Sequence, residues 1–474
     1  MKIYNTMTRS KEEFIPLEPG KVKIYACGPT VYNYFHLGNA RPFITFDTLR
    51  RYMEYRGYEV EFCQNFTDID DRMISRANEE GITVRELADR YIAEYYVDAD
   101  KLRILRPTYQ PRATDTIDAI IDMIAILIKK GYAYELEDGV YYDVAKFERY
   151  GCLSHFNLDE LREGASDRVM QSDGKQKSVD FALWKKKKPD EPSWASPWGE
   201  GRPGWHIECS AMIRKYLGVT IDIHGGGQDL VFPHHENEIA QSEAANDAPF
   251  VRYWMHNGFI NIDNEKMSKS TGNFFTVRDI VKEYSYDVIR FFMLSGHYRM
   301  PINFSAELLQ SAKNGLERIS NAVMNVRFVG KNSDRAVTLE DAEAIAVLTA
   351  AIAAAKTDFV SSMDDDLNTA DAVTAIFELV RAANTACTQS GVPSSLLLAA
   401  ADTIVELSNV LGIAAEGDMD KASDIPASVT DLVDKRTEAK KLKNFALSDQ
   451  LRDQVTELGY MIKDTAQGPQ VMKI

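Results

Sequence analysis

Two short strings, and a scatter of cysteines, histidines and glutamates between them, hold the side chains of this chain best suited to chemistry. His36-Leu37-Gly38-Asn39 lies near the start and Lys266-Met267-Ser268-Lys269-Ser270 past the middle. A histidine and a glycine at the mouth of a helix suit a nucleotide, because helix-terminal amides and the helix dipole attract phosphate. A loop with two lysines suits a departing pyrophosphate. Alone, such lysines read as solvated charge; paired with the upstream string in this order, they imply nucleotidyl transfer.

A second group could hold a metal. His234 and Glu238 stand four apart on an expected helix, so their side chains share a face. Cys27 closes an expected strand, and Cys209 follows Gly204-Trp205-His206-Ile207-Glu208. Two thiolates, an imidazole and a carboxylate are a donor set suited to zinc. From the residues alone, His224, His235, Glu236, Cys63 or Cys152 fit such a set as well, and the His-Glu pair reads equally as a surface charge pair.

The elements that must position these groups are legible in outline. Lys21 to Cys27 alternates like a strand and Gly28-Pro29 turns the chain. Gly38 to Arg56 has helical spacing, and Tyr58 to Phe66 reads as a second strand. The resulting βαβ unit implies a parallel sheet with its ligand crevice at the strand ends. A helix over Thr114 to Lys130 and a hairpin over Tyr132 to Val144 lead into a polar stretch reaching Pro203, the pattern of an inserted domain. Lys185 to Lys188, followed by Pro189 and Pro192, reads as a solvated loop. Thr220 to His224 resumes as a strand before Gly225-Gly226-Gly227, and a helix is expected from His234 to Ala245. Ser305 to Phe328, Leu339 to Met363, Thr369 to Gln389 and Ser394 to Leu411 are Ala-rich with helical periodicity and imply a bundle. Ala414 to Ser428 reads as a linker.

Composition narrows the class. The chain has 474 residues, 45% of them hydrophobic, enough for several domains. No run of eighteen apolar residues occurs, so no membrane span is expected. Five scattered cysteines argue against a disulfide framework and for a reducing compartment. A net charge of −16 disfavours nonspecific coating of nucleic acid, yet leaves room for a local basic surface such as Lys435, Arg436, Lys440, Lys441 and Lys443. No Gly-x-Gly-x-x-Gly follows the first expected strand, which excludes an ordinary dinucleotide-dependent dehydrogenase.

Longer strings carry a specific resemblance. Cys27-Gly28-Pro29-Thr30-Val31-Tyr32 with His36-Leu37-Gly38-Asn39-Ala40-Arg41, Phe66-Thr67-Asp68-Ile69-Asp70-Asp71 and Gly204-Trp205-His206-Ile207-Glu208-Cys209-Ser210 make the first part. His224-Gly225-Gly226-Gly227, Phe232-Pro233-His234-His235-Glu236-Asn237-Glu238 and Glu265-Lys266-Met267-Ser268-Lys269-Ser270 complete it. Together these resemble the cysteinyl-tRNA synthetases, a family of class I aminoacyl-tRNA synthetases, nearly end to end. The resemblance is weakest in the bundle and the tail.

That resemblance implies an α/β fold: a Rossmann-type parallel-sheet catalytic domain in two halves (1–112 and 204–304), an inserted domain (113–203), an all-α bundle (305–413) and a small C-terminal anticodon-binding domain (429–474). It implies one Zn2+ on Cys27, Cys209, His234 and Glu238, and an amino-acid pocket shaped by Cys27, Gly28, Thr67, Trp205 and His224. ATP with Mg2+ falls to His36, Gly38, Asn39, Lys266, Met267, Ser268, Lys269 and Ser270, with His36, Asn39, Lys266 and Lys269 catalytic. L-cysteine, ATP and tRNA(Cys) are the implied partners of a cytoplasmic monomer. Thr67 as a turn residue and Trp205 as core packing are the plainer alternatives. Leu37 and Asn39 depart from the usual first class I signature, although Asn39 is normal for this family, and Phe66 and Thr271 stand for commoner aliphatic residues. The tail Gly468-Pro469-Gln470-Val471-Met472 lacks a tryptophan that many members carry. The nearest rivals are a cysteine ligase acting on an amino-sugar, which lacks an anticodon domain, and a catalytically silent RNA-binding relative.

Overall fold

The computed structural model describes residues 1–156, 179–262, 265–266, 275–332, 341–389, 391–413, 415, 426–465 and 468–473. They form two compact units, 1–313 with 361–370 and 410–412, and 314–360 with 371–409 and 413–474.

The first unit is organised by a parallel sheet of four strands. β1 (Lys2–Asn5) and β2 (Ser10–Glu13) make an antiparallel hairpin before it, which the polar N-terminal sequence did not suggest. β3 (Lys21–Ala26) lies between β4 (Glu59–Gln64) and β9 (Ile221–Gly227), and β10 (Val251–Asn257) flanks β9, giving the order β10-β9-β3-β4. Every pairing is parallel. The expected strand ending at Cys27 is therefore the third strand of the chain, and the glycines after His224 belong to β9. The chain leaves β3 for β4 on one side, and β9 returns on the other. Such a reversal opens a crevice beyond the strand ends.

Helix α1 (Leu37–Tyr55) crosses from β3 to β4. Its Leu37, Ala40, Ile44, Phe46, Leu49, Tyr52 and Met53 are buried, as its apolar spacing requires. Arg41 is buried too, and its guanidinium donates to the carbonyls of Gly258, Phe259, His297 and Met300. Burial lowers its pKa to about 10. α2 (Asp71–Glu80), capped by Asp70, and α3 (Val84–Lys101), opened by a Thr83/Glu86 capping box, follow β4.

The insertion begins with α4 (Ile117–Lys129) and contributes its own antiparallel sheet of β5 (Ala133–Leu136), β6 (Gly139–Tyr142), β7 (Phe181–Lys186) and β8 (Gly201–Pro203). Lys185 and Lys186 lie in β7 instead of a solvated loop. The ladder to β6 and ion pairs of Lys185 to Asp71 (2.7 Å) and Lys186 to Glu135 (3.3 Å) outweigh the nearby prolines. Arg202 of β8 also reaches Asp71, at 2.5 Å, so two cations clasp one carboxylate. The remaining elements are α5 (Ile207–Tyr216), α6 (Glu236–Asn246), β11 (Ile260–Ile262), β12 (Glu265–Lys266), α7 (Val277–Ile280), α8 (Tyr286–Leu294) and β13 (Ile302–Phe304).

Helices α9 (Ala306–Lys331), α10 (Ala342–Asp364), α11 (Thr369–Thr388) and α12 (Ser394–Val410) fall where the periodicity placed them. On α11, Ile376, Leu379, Val380 and Ala383 are buried at i, i+3, i+4 and i+7. Among the described residues α10 is the one helix long and apolar enough to cross a membrane, by length and composition alone. Its Lys356 pairs with Glu406 at 2.7 Å. In the same unit α13 (Ala427–Lys441), α14 (Phe445–Glu457) and the hairpin of β14 (Tyr460–Thr465) and β15 (Gly468–Lys473) enclose Val429, Val433, Val455, Tyr460 and Ile462.

Candidate functional site

The crevice beside β3 holds a cavity of about 300 Å³ whose lining includes Cys27, Gly28, His36, Gly38, Asn39 and Trp205. Cys27 follows β3, and its sulfur faces a cluster assembled from three other segments. Cys209 comes from the first turn of α5, and Glu238 from the first turn of α6. His234 comes from the turn Val231–His235, wound more widely than an α-helix, with Phe232 non-helical and the Phe232–Pro233 peptide cis. The expected helix over His234 to Ala245 thus starts at Glu236, because Pro233 and Phe232 break its first turn. His234 still reaches Glu238, with Nε2 3.0 Å from Oε1.

Ligand atoms of Cys27, Cys209, His234 and Glu238 all lie within 4.8 Å of one another; Cys27, His224, His235 and Glu238 satisfy the same test. Cys209 Sγ is 3.6 Å from His234 Nε2, and Cys27 Sγ is 3.8 Å from Glu238 Oε1. The first set uses both thiols, and its S2NO donors fit a zinc ion. The charges are coupled. The hydrogen bond from Cys27 pulls the Cys209 thiol down to about 6, with His234 helping against burial. Burial and the neighbouring negative charge push the Cys27 thiol well up. Burial opposes charge on His234, but Cys209 and Glu238 raise it to about 10. Glu238 is buried as well, yet His224 and His234 hold it down at about 2.

More histidines surround this cluster. His224 Nε2 lies 2.9 Å from Glu238 Oε2, His206 Nδ1 lies 3.0 Å from His234 Nδ1, and Cys27 Sγ lies 3.3 Å from His235 Nε2. His235 Nδ1 continues to His256 at 2.8 Å, and His256 to Thr6 at 2.8 Å. Burial and neighbouring imidazoles keep His235 well below the ordinary histidine range and hold His256 at about 3. Neutral rings at fixed contacts suit the outer shell of a metal site.

Two carboxylates pin the surrounding segments. Gly28 N–H donates to Asn65 Oδ1 (2.8 Å), Asn65 Nδ2 to Thr67 Oγ1 (3.3 Å), and Thr67 O–H to Glu208 Oε2 (3.1 Å). This buried relay joins the Cys27 segment to the helix carrying Cys209. It leaves no room at Gly28, where a Cβ would stand 1.6 Å from the Asn65 carbonyl oxygen. Glu236, between His234 and Glu238, accepts the backbone N–H groups of Gly151, Leu153 and Ser154 at 2.8, 3.2 and 2.8 Å. One carboxylate thereby gathers a turn of the insertion onto the segment bearing two candidate ligands.

The end expected to take the nucleotide is built differently. His36 is the N-cap of α1; its side chain makes no cap bond, while its carbonyl accepts the N–H groups of Asn39 and Ala40 at 2.9 and 3.1 Å. Leu37 N–H donates to Phe275 O and Val277 N–H to Phe35 O, which bind the first signature to the chain following the second. Lys266 is in β12; Met267, Ser268, Lys269 and Ser270 lie outside the described residues.

Of the expected pocket residues, Cys27, Gly28 and Trp205 line the cavity, whereas Thr67 and His224 are buried behind it. Trp205 is 40% exposed with its ring 4.4 Å from that of His234, so core packing does not describe it. Sequence reasoning missed Asn65 and His256; His206 and Glu208 stood inside a quoted string with no role of their own, and Glu236 was read only as an alternative ligand. For Asn65 the one signal was its place next to Phe66, and for His256 there was none.

The fold and the site define a class I tRNA synthetase. Residues 13–314 match the family model described as the tRNA synthetases class I (C) catalytic domain, and residues 358–416 match the DALR domain. A methionyl-tRNA synthetase from Mycobacterium tuberculosis, solved with methionyl-adenylate, has a similar fold at a TM-score of 0.60 and 16% identity, over 83% of this chain and 90% of that one. The cysteine–tRNA ligase of Caldicellulosiruptor saccharolyticus is 54% identical over the full length of both chains, and that of Clostridioides difficile is 54% identical over 99% of each. The chain belongs to the cysteine–tRNA ligase family.

Proposed function

We propose that this chain activates L-cysteine with ATP to cysteinyl-adenylate and transfers the cysteinyl group to the 3′ end of tRNA(Cys). The observation that carries the reading is the Cys27, Cys209, His234 and Glu238 cluster at the edge of the cavity that His36 and Asn39 also line. Zn2+ is the ion assigned to these four residues, and when bound it supplies a soft centre that prefers a thiolate to a neutral hydroxyl, which separates cysteine from serine. An apolar pocket alone separates such near-isosteres poorly.

The chain's own groups position and neutralise. His36 and Asn39 hold ATP, with its Mg2+, at the N-terminal end of α1, where the helix dipole favours phosphate. Lys266 and Lys269 neutralise charge on the departing pyrophosphate as the cysteine carboxylate attacks the α-phosphate. Gly38, Met267, Ser268 and Ser270 complete the ATP contacts. Cys27, Gly28 and Trp205 border the amino acid, and Thr67 and His224 support it from behind. The terminal ribose hydroxyl of the tRNA then attacks the adenylate and AMP leaves. The chain acts as a cytoplasmic monomer.

The DALR match and the module 426–473 support tRNA binding. Exposed Leu442 and Phe445 sit beside Lys443, a mixture of apolar and cationic groups that suits unpaired bases, while Lys440 and Lys441 pair with Asp464 and Glu438, each at 2.9 Å. Arg436 is withdrawn from that surface, because Asp464 accepts from it at 2.8 Å through both oxygens.

Pyrophosphate exchange tests the reading. ATP should exchange label only with cysteine present, serine should not replace it, and tRNA should accept the product. Exchange that proceeds equally with serine overturns the proposed specificity.

A further inference from the structure

Among the described residues lining the cavity, Arg72 is the sole Lys or Arg side chain. It stands in the first turn of α2, and its guanidinium is held on three sides. Nε donates to Asp70 Oδ2 at 2.8 Å, Nη2 donates to Thr30 Oγ1 at 3.1 Å, and the group lies over the Tyr32 ring at 5.2 Å. Thr30 and Tyr32 line the same cavity. Asp70 is fixed in turn, since its other oxygen caps α2 by accepting Met73 N–H at 2.8 Å.

Stability does not account for this arrangement. The Arg72 side chain is 53% exposed, and exposed ion pairs contribute little. What the contacts accomplish is orientation. An arginine has five N–H donors; one goes to Asp70 and one to Thr30, so three remain for a ligand. Pre-ordering this long side chain removes the entropy an anion would otherwise have to overcome in fixing it.

We propose that Arg72 is a substrate-binding residue of the activation step, whose guanidinium takes an anionic oxygen of the small substrates. The proposal rests on the function proposed above. The shared chemistry is an anionic oxygen presented to a planar fork; its two sources are the α-carboxylate of cysteine and a phosphate of ATP.

Exchange kinetics on the full-length protein test it. Arg72→Gln should lower kcat/KM for exchange by roughly tenfold to a hundredfold, the loss of one charge-assisted hydrogen bond. Zinc content and Tm should stay at wild-type values. A raised KM for cysteine assigns the carboxylate, and a raised KM for ATP assigns a phosphate. Arg72→Lys, which keeps the charge and loses the fork, should fall between, and it decides the matter if Arg72→Gln does not fold. Exchange within twofold of wild type in the folded variants overturns the proposal, as does a defect confined to KM for tRNA. If wild type itself shows no cysteine-dependent exchange, the underlying function falls; if it does and the variants match it, only the role of Arg72 falls.

Discussion

The two ends of the cavity are built on different physical principles. At the end proposed for zinc, side chains from four segments converge in a largely buried cluster whose members already have partners: Glu238 with His224 and His234, Cys27 with His235, Cys209 with His234. At the end proposed for the nucleotide, the N-terminus of α1 is held through backbone bonds, Leu37 N–H to Phe275 O and Asn39 and Ala40 N–H to His36 O, and its cap residue makes no side-chain capping bond. One end is held by packing and mutual hydrogen bonding, the other by backbone geometry. Damage at the first should spread through neighbours; damage at the second should stay local.

Substitutions can break that contrast. Cys209→Ser is expected to have the largest effect, removing stoichiometric zinc and lowering cysteine activation by a hundredfold or more, since even outer-shell changes cost about 10–100-fold in metal affinity. Metal analysis beside pyrophosphate exchange checks this, and full zinc with lost activity would dissolve the distinction between the ends. His36→Ala should lower kcat for exchange by roughly 10²–10³, the usual loss for one oriented donor, with zinc content unchanged. Glu208→Leu should weaken zinc binding about tenfold by cutting the relay from Gly28 to α5, whereas Glu208→Gln, which keeps an acceptor, should restore most of it.

Protons sharpen the comparison further. The raised Cys27 thiol and His234 must each give up a proton to become ligands, so zinc should bind more tightly as pH rises from 7 to 8, by about tenfold per proton released. Competition with a chelator at the two pH values measures that slope; a flat profile contradicts the coupling. The smallest effect is expected at the clasp of Asp71. Burial opposes its charge, yet Lys185 and Arg202 bring its pKa to about 2, below the ~3.9 of an unfolded chain. Its stabilisation is therefore complete above about pH 4 and fades as pH falls toward 2. Asp71→Asn should flatten the acid limb of a Tm-against-pH curve while leaving exchange at neutral pH nearly unchanged.

The same contrast governs what could be read from residues alone. Helix α1 was legible within a residue or two, because Phe43, Phe46, Leu49, Tyr52 and Met53 repeat at helical spacing and Gly57 ends the run. The ligand set was legible as residue types, but not as a choice: His224 and His235 satisfy the distances too, and a linear string does not say which nitrogen faces which sulfur. The relay was illegible, since Thr67 and Glu208 are 141 positions apart and meet only after α5 has packed. Lys185 and Lys186 misled because local prolines suggested a loop, whereas pairing with β6 is a nonlocal event. The β1–β2 hairpin was hidden by its exposed, charged second strand, whose residues carry no alternation of apolar and polar character.

Glu236 carries a consequence for anyone who would trim or transplant this molecule. Because its two oxygens receive three amides from the turn at 151–154, the chain between β4 and β9 is stitched to the stretch that supplies His234 and Glu238. Excising that stretch strips the Glu236 carboxyl oxygens of three donors, beside the groups that hold the cluster in register. A minimal version of the catalyst therefore has to keep this turn, or supply other donors in its place.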